Sequence, residues 1–447
     1  MAQTFDTLFR GGTVVNHDGV GARDVGLKDG RITAIGSLDA SAAGEVIDVT
    51  GLHVLPGVID TQVHFREPGL EGKEDLQSGS LGAVMGGVTA VFEMPNTKPP
   101  TTNTGALEDK LKRAHHRMHC DHAFYVGGTE ENADDLPELE QQPGCCGVKV
   151  FMGSSTGTLL VPSDEGVKKI LTQIRRRAAF HSEDEYMLRE RRELAELGKV
   201  ETHAVWRDVE TAVSSTTRLL RIAKEAGALV HILHISTAEE VPLLAGAKDF
   251  ATMEVLPQHI TLAAPECYEE WGTLAQQNPP IREARHREAL WAAIQAGIVD
   301  VIGSDHAPHT AAEKAETYPK SPSGMPGVQT MLPLLLDHMN AGRLSLERVV
   351  DLTSHGANRI FGIAGKGRLA VGYDADLTIV DLKETRTISE DWIASRAGWS
   401  CFVGKEVTGW PKGTIIRGQK VMWEDELVTP TIGEPIEFHS TLRNSRA

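Results

Sequence analysis

The chain has 447 residues, with 62 acidic against 45 basic side chains and a formal net charge of −17 with His neutral. Its apolar residues make up 40%, and 44 glycines bring that share to roughly half, the globular norm, so disorder is excluded as a description of the whole. The acidic excess argues against nucleic acid and anionic membranes as partners, because both need an electropositive face.

The first 55 residues read as β structure. Residues 8–15, 25–27 and 31–35 are β-prone runs, and Asp29-Gly30 marks a hairpin turn. From Pro56 to Phe361 the texture changes. Eight short apolar runs (57–59, 90–92, 123–126, 147–151, 178–181, 229–235, 252–255 and 299–302) alternate with polar and helical stretches, among them 208–225 and 282–296. Eight β/α alternations over about 300 residues fit a (β/α)8 barrel better than an open doubly wound sheet. The β texture returns at 376–380 and at 414–422, broken by Gly418. The expected fold is therefore α/β. A TIM-type barrel spans residues 56–362, and a small β-sandwich domain is built from both termini, 1–55 and 363–447.

Neither a GxGxxG fingerprint nor a Walker loop occurs, so nucleotide folds lose support. No run of 18 apolar residues is present, and the start MAQTFDTLFRGG has no basic leader before an apolar core. Five Cys (Cys120, Cys145, Cys146, Cys267, Cys401) form no CxxC pair. They read as small buried residues of a cytoplasmic protein without disulfides.

Catalytic groups of a barrel sit at the C-terminal ends of its strands. Gln62 and His64 follow the first run, two residues apart, and so project to one side of an extended segment. Lys149 lies in the fourth run, which leads into 153–157 (GSSTG). His181 ends the fifth, His234 lies in the sixth, and Asp305 follows the eighth. A single His at such a place is more often a hydrogen-bonded core residue, and a single Asp a cap or turn residue. His, Lys, His, His and Asp at five strand ends would converge on one mouth, and imidazole and carboxylate suit zinc. A buried Lys has its amine pKa pushed down, and a neutral amine can take up carbon dioxide as a carbamate. Arg66 can grip a carboxylate bidentately. Its plainer reading is a turn at Arg66-Glu67-Pro68-Gly69 with a local ion pair. Asn96 could equally cap a helix, and His309 follows Pro308 in a fixed loop. His115, His116, His119 and His122, in a basic stretch with Lys110, read as a solvated face rather than a metal tract. Residues 186–199 read as a solvated, salt-bridged helix.

The segments DTQVHFREPG (60–69), MPNT (94–97), NPPIR (278–282) and DHAPH (305–309) resemble the cyclic amidohydrolases, the group of dihydroorotases, allantoinases and dihydropyrimidinases. The resemblance covers essentially the whole chain and is nearest to the long dihydroorotase type. It implies a zinc-dependent, reversible ring opening of a cyclic amide with one or two ions per chain. His64, Lys149 as a carbamate, His181, His234 and Asp305 would hold the metal, and Asp305 would shuttle the proton. Arg66, Asn96 and His309, the last as an imidazolium, would hold a substrate carboxylate, and Asn278 would contact the ring. The partners implied are a small carboxylate substrate and a possible second copy, as dimer or tetramer. Two departures stand out. Gln62 replaces the usual first His, a weaker ligand that leaves one metal position in question, and Gln258-His259 stands for a His pair. The alternatives are an allantoinase or hydantoinase, or a non-catalytic scaffold.

Overall fold

The computed structural model describes residues 4–153 and 159–442. Eight parallel strands form the central sheet in chain order. They are β1 (Val58–Val63), β2 (Val88–Glu93), β3 (Asp121–Gly127), β4 (Cys145–Phe151), β5 (Ala178–His181), β6 (Val230–Ile232), β7 (Ala251–Val255) and β8 (Val301–Ile302). All eight are buried on both faces, as parallel strands covered by helices must be. The longest covering helix is α1 (Val209–Ala226), whose N-terminus is capped by Asp208 accepting from Thr211 N and whose C-terminus stops at left-handed Gly227. The expected 208–225 is thus met within a residue. The ring closes where Val63 bridges His306 in parallel and His64 N donates to the His306 carbonyl at 2.7 Å. The (β/α)8 barrel expected from the alternation is present.

Alternate strand residues serve two cores. Ile59, Ala90, Phe92, Ala123, Tyr125 and Cys146 fill the barrel interior, while Val58, Val91, Phe124 and Val148 pack outward. In β4 the alternation slips. Phe124 pairs with Cys145 but Tyr125 pairs with Gly147, so Cys146 is an extra residue, a bulge. The bulge puts both Cys146 and Lys149, three apart, on the interior side.

Two further sheets carry the terminal β structure. Residues 5–48 alone supply a four-stranded sheet, and strands 13–16, 19–22 and 53–56 join four strands from residues 377–427 in a seven-stranded one. Phe9, Val25 and Ile32 pack with Val54, Leu377 and Ile415 between them. Asp29 and Gly30, with φ of 50° and 74°, make the expected hairpin turn. The run at 8–15 is not one strand. It breaks into Phe5–Arg10 and Thr13–Asn16 in different sheets, because Gly11 takes φ 77° and a Cβ on Gly12 would meet Val49 Cγ2 at 2.9 Å.

Three other expectations are corrected. The helix read at 186–199 is a short one, Glu185–Glu190, followed by 3-10 turns. Of the histidine cluster only His115 and His116 are exposed. His119 and His122 are buried, and Lys110 is fully buried in an ion pair with Glu93, so this is no solvated face. The 282–296 helix starts later, at Ala284, because Arg282 turns inward to Ser236 Oγ and the Arg207 carbonyl. All five cysteines are free and buried, as expected. No helix among the described residues is long and apolar enough to cross a membrane.

Candidate active site

The expected residues gather at the C-terminal mouth of the barrel. Gln62 Nε2 and His64 Nε2 both reach Asp305 Oδ1, at 3.0 and 3.1 Å. The shared side of the β1 extension and the backbone at Asp305, in the left-handed region at φ 45°, bring them together. His181 Nδ1 lies 3.0 Å from His234 Nε2. Lys149 Nζ is buried with no hydrogen-bond partner, 4.5 Å from the centre of the Phe151 ring. Burial pushes its pKa down to about 7, against the opposing pull of Asp305 and Glu254. The 153–157 segment expected to follow β4 lies outside the described residues beyond Gly153.

Among the described residues, no three His, Cys, Asp or Glu side chains close on one point. The donors form two pairs instead, and their protonation is set from outside. Glu183 is held ionised, well below its usual range, by Arg207 and His181 despite complete burial. It accepts from His181 Nε2 at 2.7 Å, so the Nδ1 lone pair of His181 faces inward. His64 donates from Nδ1 to Asn96 Oδ1 at 2.8 Å, so its Nε2 lone pair faces Asp305. Burial keeps both imidazoles neutral. The pair separations of 3.0 and 3.1 Å are close to the about 3.3 Å edge between two ligand atoms on tetrahedral zinc. Buried Lys149 Nζ and Gln62 Oε1 complete a set of unpartnered polar atoms. The side chains present fit a divalent cation.

Several functional residues escape sequence reading. Glu183 carries a signal, since it stands two residues after His181. Arg207 and Glu254 carry none. Buried Glu254, raised to about 8 chiefly by desolvation, accepts from Thr61 Oγ1 at 3.0 Å and from the His234 main-chain N at 3.3 Å. Asn278 Oδ1 accepts from His203 Nε2 at 2.9 Å. His259 bonds the Pro279 carbonyl and Gln277, away from the donor pairs.

Arg66 is 7% exposed, in the left-handed region at φ 67°. It does not pair with Glu67, whose carboxylate takes Arg117 at 2.7 Å and Arg113 at 3.5 Å. Arg66 Nε donates to the Pro308 carbonyl at 3.1 Å, and Nη2 lies 3.3 Å from His309 Nε2. Its charge therefore has no carboxylate at hydrogen-bond distance among the described residues. His309 is no imidazolium: burial, then Arg66 and Lys73, hold it neutral. Its Nδ1 accepts from Lys73 Nζ at 3.1 Å, so Nε2 carries the proton and donates to the Ser323 carbonyl. Lys73, at the same wall, is ion-paired with Glu313 at 2.8 Å, which Arg66 is not.

With that geometry in place, comparison with known proteins is decisive at the level of family. The amidohydrolase family profile matches residues 53–421. The chain belongs to the amidohydrolase family. It is 36% identical over 426 residues to a dihydroorotase of Methanosarcina mazei, covering 91% of this chain and 92% of the relative. It is 35% identical over 446 residues to an allantoinase of Rubrobacter xylanophilus, covering 96% and 97%. The fold matches L-hydantoinase (dihydropyrimidinase) from Arthrobacter aurescens with a TM-score of 0.93 at 31% identity, across 97% of this chain and all of that one. This amidohydrolase is thus an enzyme of a superfamily whose members are generally metal-dependent.

Proposed function

We propose that this amidohydrolase is a dihydroorotase, interconverting (S)-dihydroorotate and N-carbamoyl-L-aspartate for pyrimidine synthesis in the cytoplasm. The observation that carries the reading is the buried Arg66 guanidinium without a carboxylate partner at the mouth. A buried uncompensated cation is costly unless a ligand completes it. Both proposed ligands are carboxylates, and dihydroorotases are prominent among the relatives.

His64, His181, His234, Asp305 and Lys149 as a carbamate would hold one or two zinc ions, with Gln62 the weakest candidate. Bound zinc supplies Lewis acidity at the ring carbonyl and lowers the pKa of water. The chain's own groups do the rest. Asp305 takes the proton of the attacking water and returns it to the leaving ring nitrogen, and works in reverse for cyclisation. Arg66, Asn96 and His309 would grip the carboxylate, His309 by turning its Nε2–H from the Ser323 carbonyl to the substrate, and Asn278 would contact the ring, which removes translational freedom from the reacting pair. Asn96 would grip it while holding His64 through its Oδ1.

The test is ring opening of dihydroorotate by zinc-loaded protein, followed at the loss of its ring absorbance, with Asp305→Asn beside it. Activity in the wild type and none in the variant supports the assignment. The structural match to L-hydantoinase favours a second reading, a hydantoinase or allantoinase. Turnover of hydantoin or allantoin but not of dihydroorotate would establish that reading instead. Folded protein that binds no zinc and turns over none of the three would be a scaffold.

A further inference from the structure

The opposite end of the barrel holds a feature that this chemistry does not use. A cavity of about 400 Å³ is lined by Arg175, Arg176, Arg177 and Arg359, with Phe361 and Ser440. It lies at the N-terminal strand ends: Cys146 near the start of β4 and Leu229 just before β6 also line it, and Arg177 immediately precedes β5. Its volume is within the about 300–1,000 Å³ of small-ligand clefts.

The guanidinium groups of Arg176 and Arg177 are fixed by carbonyls and have no carboxylate at ion-pair distance among the described residues. Arg176 donates to the carbonyls of Glu140, Cys145 and Cys146 at 2.6, 2.8 and 3.1 Å. Arg177 donates to the carbonyls of Val230 and Phe250 at 2.8 and 3.1 Å. A carbonyl fixes a guanidinium without cancelling its charge. Arg359 reaches only Asp300 Oδ1, at 3.3 and 3.4 Å, and that carboxylate is shared with Lys248. The nearby Glu140 carboxylate is occupied by the main-chain N–H groups of Arg175 and Arg176. No carboxylate lines the cavity among the described residues. Two buried polar atoms there, Arg177 Nε and Ser440 Oγ, have no partner. Four arginines around one cavity in a chain of net charge −17 are not its background.

We propose that this cavity is a second ligand site, taking a small anion that carries a phosphoryl or pyrophosphoryl group. Planar guanidinium forks match phosphate oxygens, and Ser440 and Arg177 Nε offer two further donors. The cavity is roomy for a single phosphate, which favours pyrophosphate or a phosphate ester over the free ion.

Calorimetric titration of the zinc-loaded protein with pyrophosphate, inorganic phosphate and sulfate, at an ionic strength of about 0.15 M, tests the site. Saturable binding is expected, pyrophosphate tightest. Arg175→Ala, an exposed side chain, and Ser440→Ala should keep the fold and the zinc content. Arg175→Ala together with Arg359→Gln should weaken pyrophosphate binding about tenfold or more. No saturable binding below about 1 mM overturns the proposal. So does equal binding of sulfate. So does binding that survives these substitutions but is lost in Arg66→Ala, which would put the anion at the catalytic mouth.

Discussion

Glu183→Gln is the sharpest perturbation of this site, because one buried carboxylate serves two purposes. Its Oε2 accepts from His181 Nε2 at 2.7 Å and from Arg207 Nη2 at 2.5 Å, and its Oε1 accepts from Arg207 Nε at 3.0 Å. Gln offers one acceptor oxygen and one NH2, so at least one of these N–H donors would face another donor. The charge that holds buried Arg207 also disappears. Breaking a buried pair on one side costs about 3–5 kcal/mol. At an unfolding entropy of about 2.1 cal/mol/K per residue, 447 residues give about 0.9 kcal/mol/K. The expected fall in Tm is therefore about 3–5 °C. The second effect is on the imidazole. With no carboxylate to hold the proton on Nε2, His181 no longer keeps its Nδ1 lone pair facing His234. Losing such a support costs about 10–100-fold in metal affinity. Competition with a chromophoric chelator measures zinc affinity, and calorimetry measures Tm. A variant that melts lower but binds zinc with unchanged affinity would refute the argument that Glu183 sets the His181 tautomer.

Arg66→Lys should lower kcat/KM for dihydroorotate about 10–100-fold, since Lys cannot supply a planar fork; an unchanged value would remove Arg66 from the carboxylate site. Removal of metal by a chelator should abolish turnover, and zinc should restore it, while activity that persists in fully stripped protein would exclude zinc. Burial would raise Glu74, but hydrogen bonds from His306, Ser395 and Ser78 outweigh it and hold the group below its usual 4.5. A depressed folded pKa gives stability that is present above the unfolded value and lost as pH falls through the folded one. The Tm of Glu74→Gln should therefore lie below wild type at neutral pH, with the gap narrowing below about pH 4.5; a constant gap would contradict it. Gly69→Ala should destabilise markedly, because φ is 88° and the new Cβ would sit 2.1 Å from the Lys98 carbonyl oxygen; an unchanged melting profile would show that this turn can relax.

The sequence carried the barrel well, because eight apolar runs are hard to arrange otherwise. It carried Gln62, His64 and Asp305 as well, since a two-residue spacing on an extended segment is a geometric statement. Lys149 was legible as a buried residue of the mouth, but the register that turns it inward was not. Its direction depends on the Cys146 bulge, and a bulge has no local signature in Gly147-Val148-Lys149. The His115–His122 stretch misleads for the opposite reason. Its composition is that of a surface, yet α-helical structure ends at Ala114 and the chain dives, burying His119 and His122. Arg207 and Glu254 are invisible because their partners lie on other elements. Arg207 meets Glu183 across 24 residues of chain, and Glu254 meets Thr61 across 193.

The seam of the barrel bears on the order in which this molecule assembles. β8 is only two residues long, and beside the single Val63–His306 bridge the seam is held by a side chain: Asp60 Oδ1 accepts from Gln62 N and, across the seam, from Ser304 N at 3.0 Å. Asp305 meets Gln62 across 243 residues of chain. Closing so long a loop is an entropic cost that must be met before any of the seam contacts can repay it. The His64–Asp305 pair therefore cannot exist in a chain whose eighth strand has not docked, whereas the His181–His234 pair needs only β5 and β6. During refolding the two donor pairs would form at different times, and the rate at which the His64–Asp305 pair forms reads out ring closure itself.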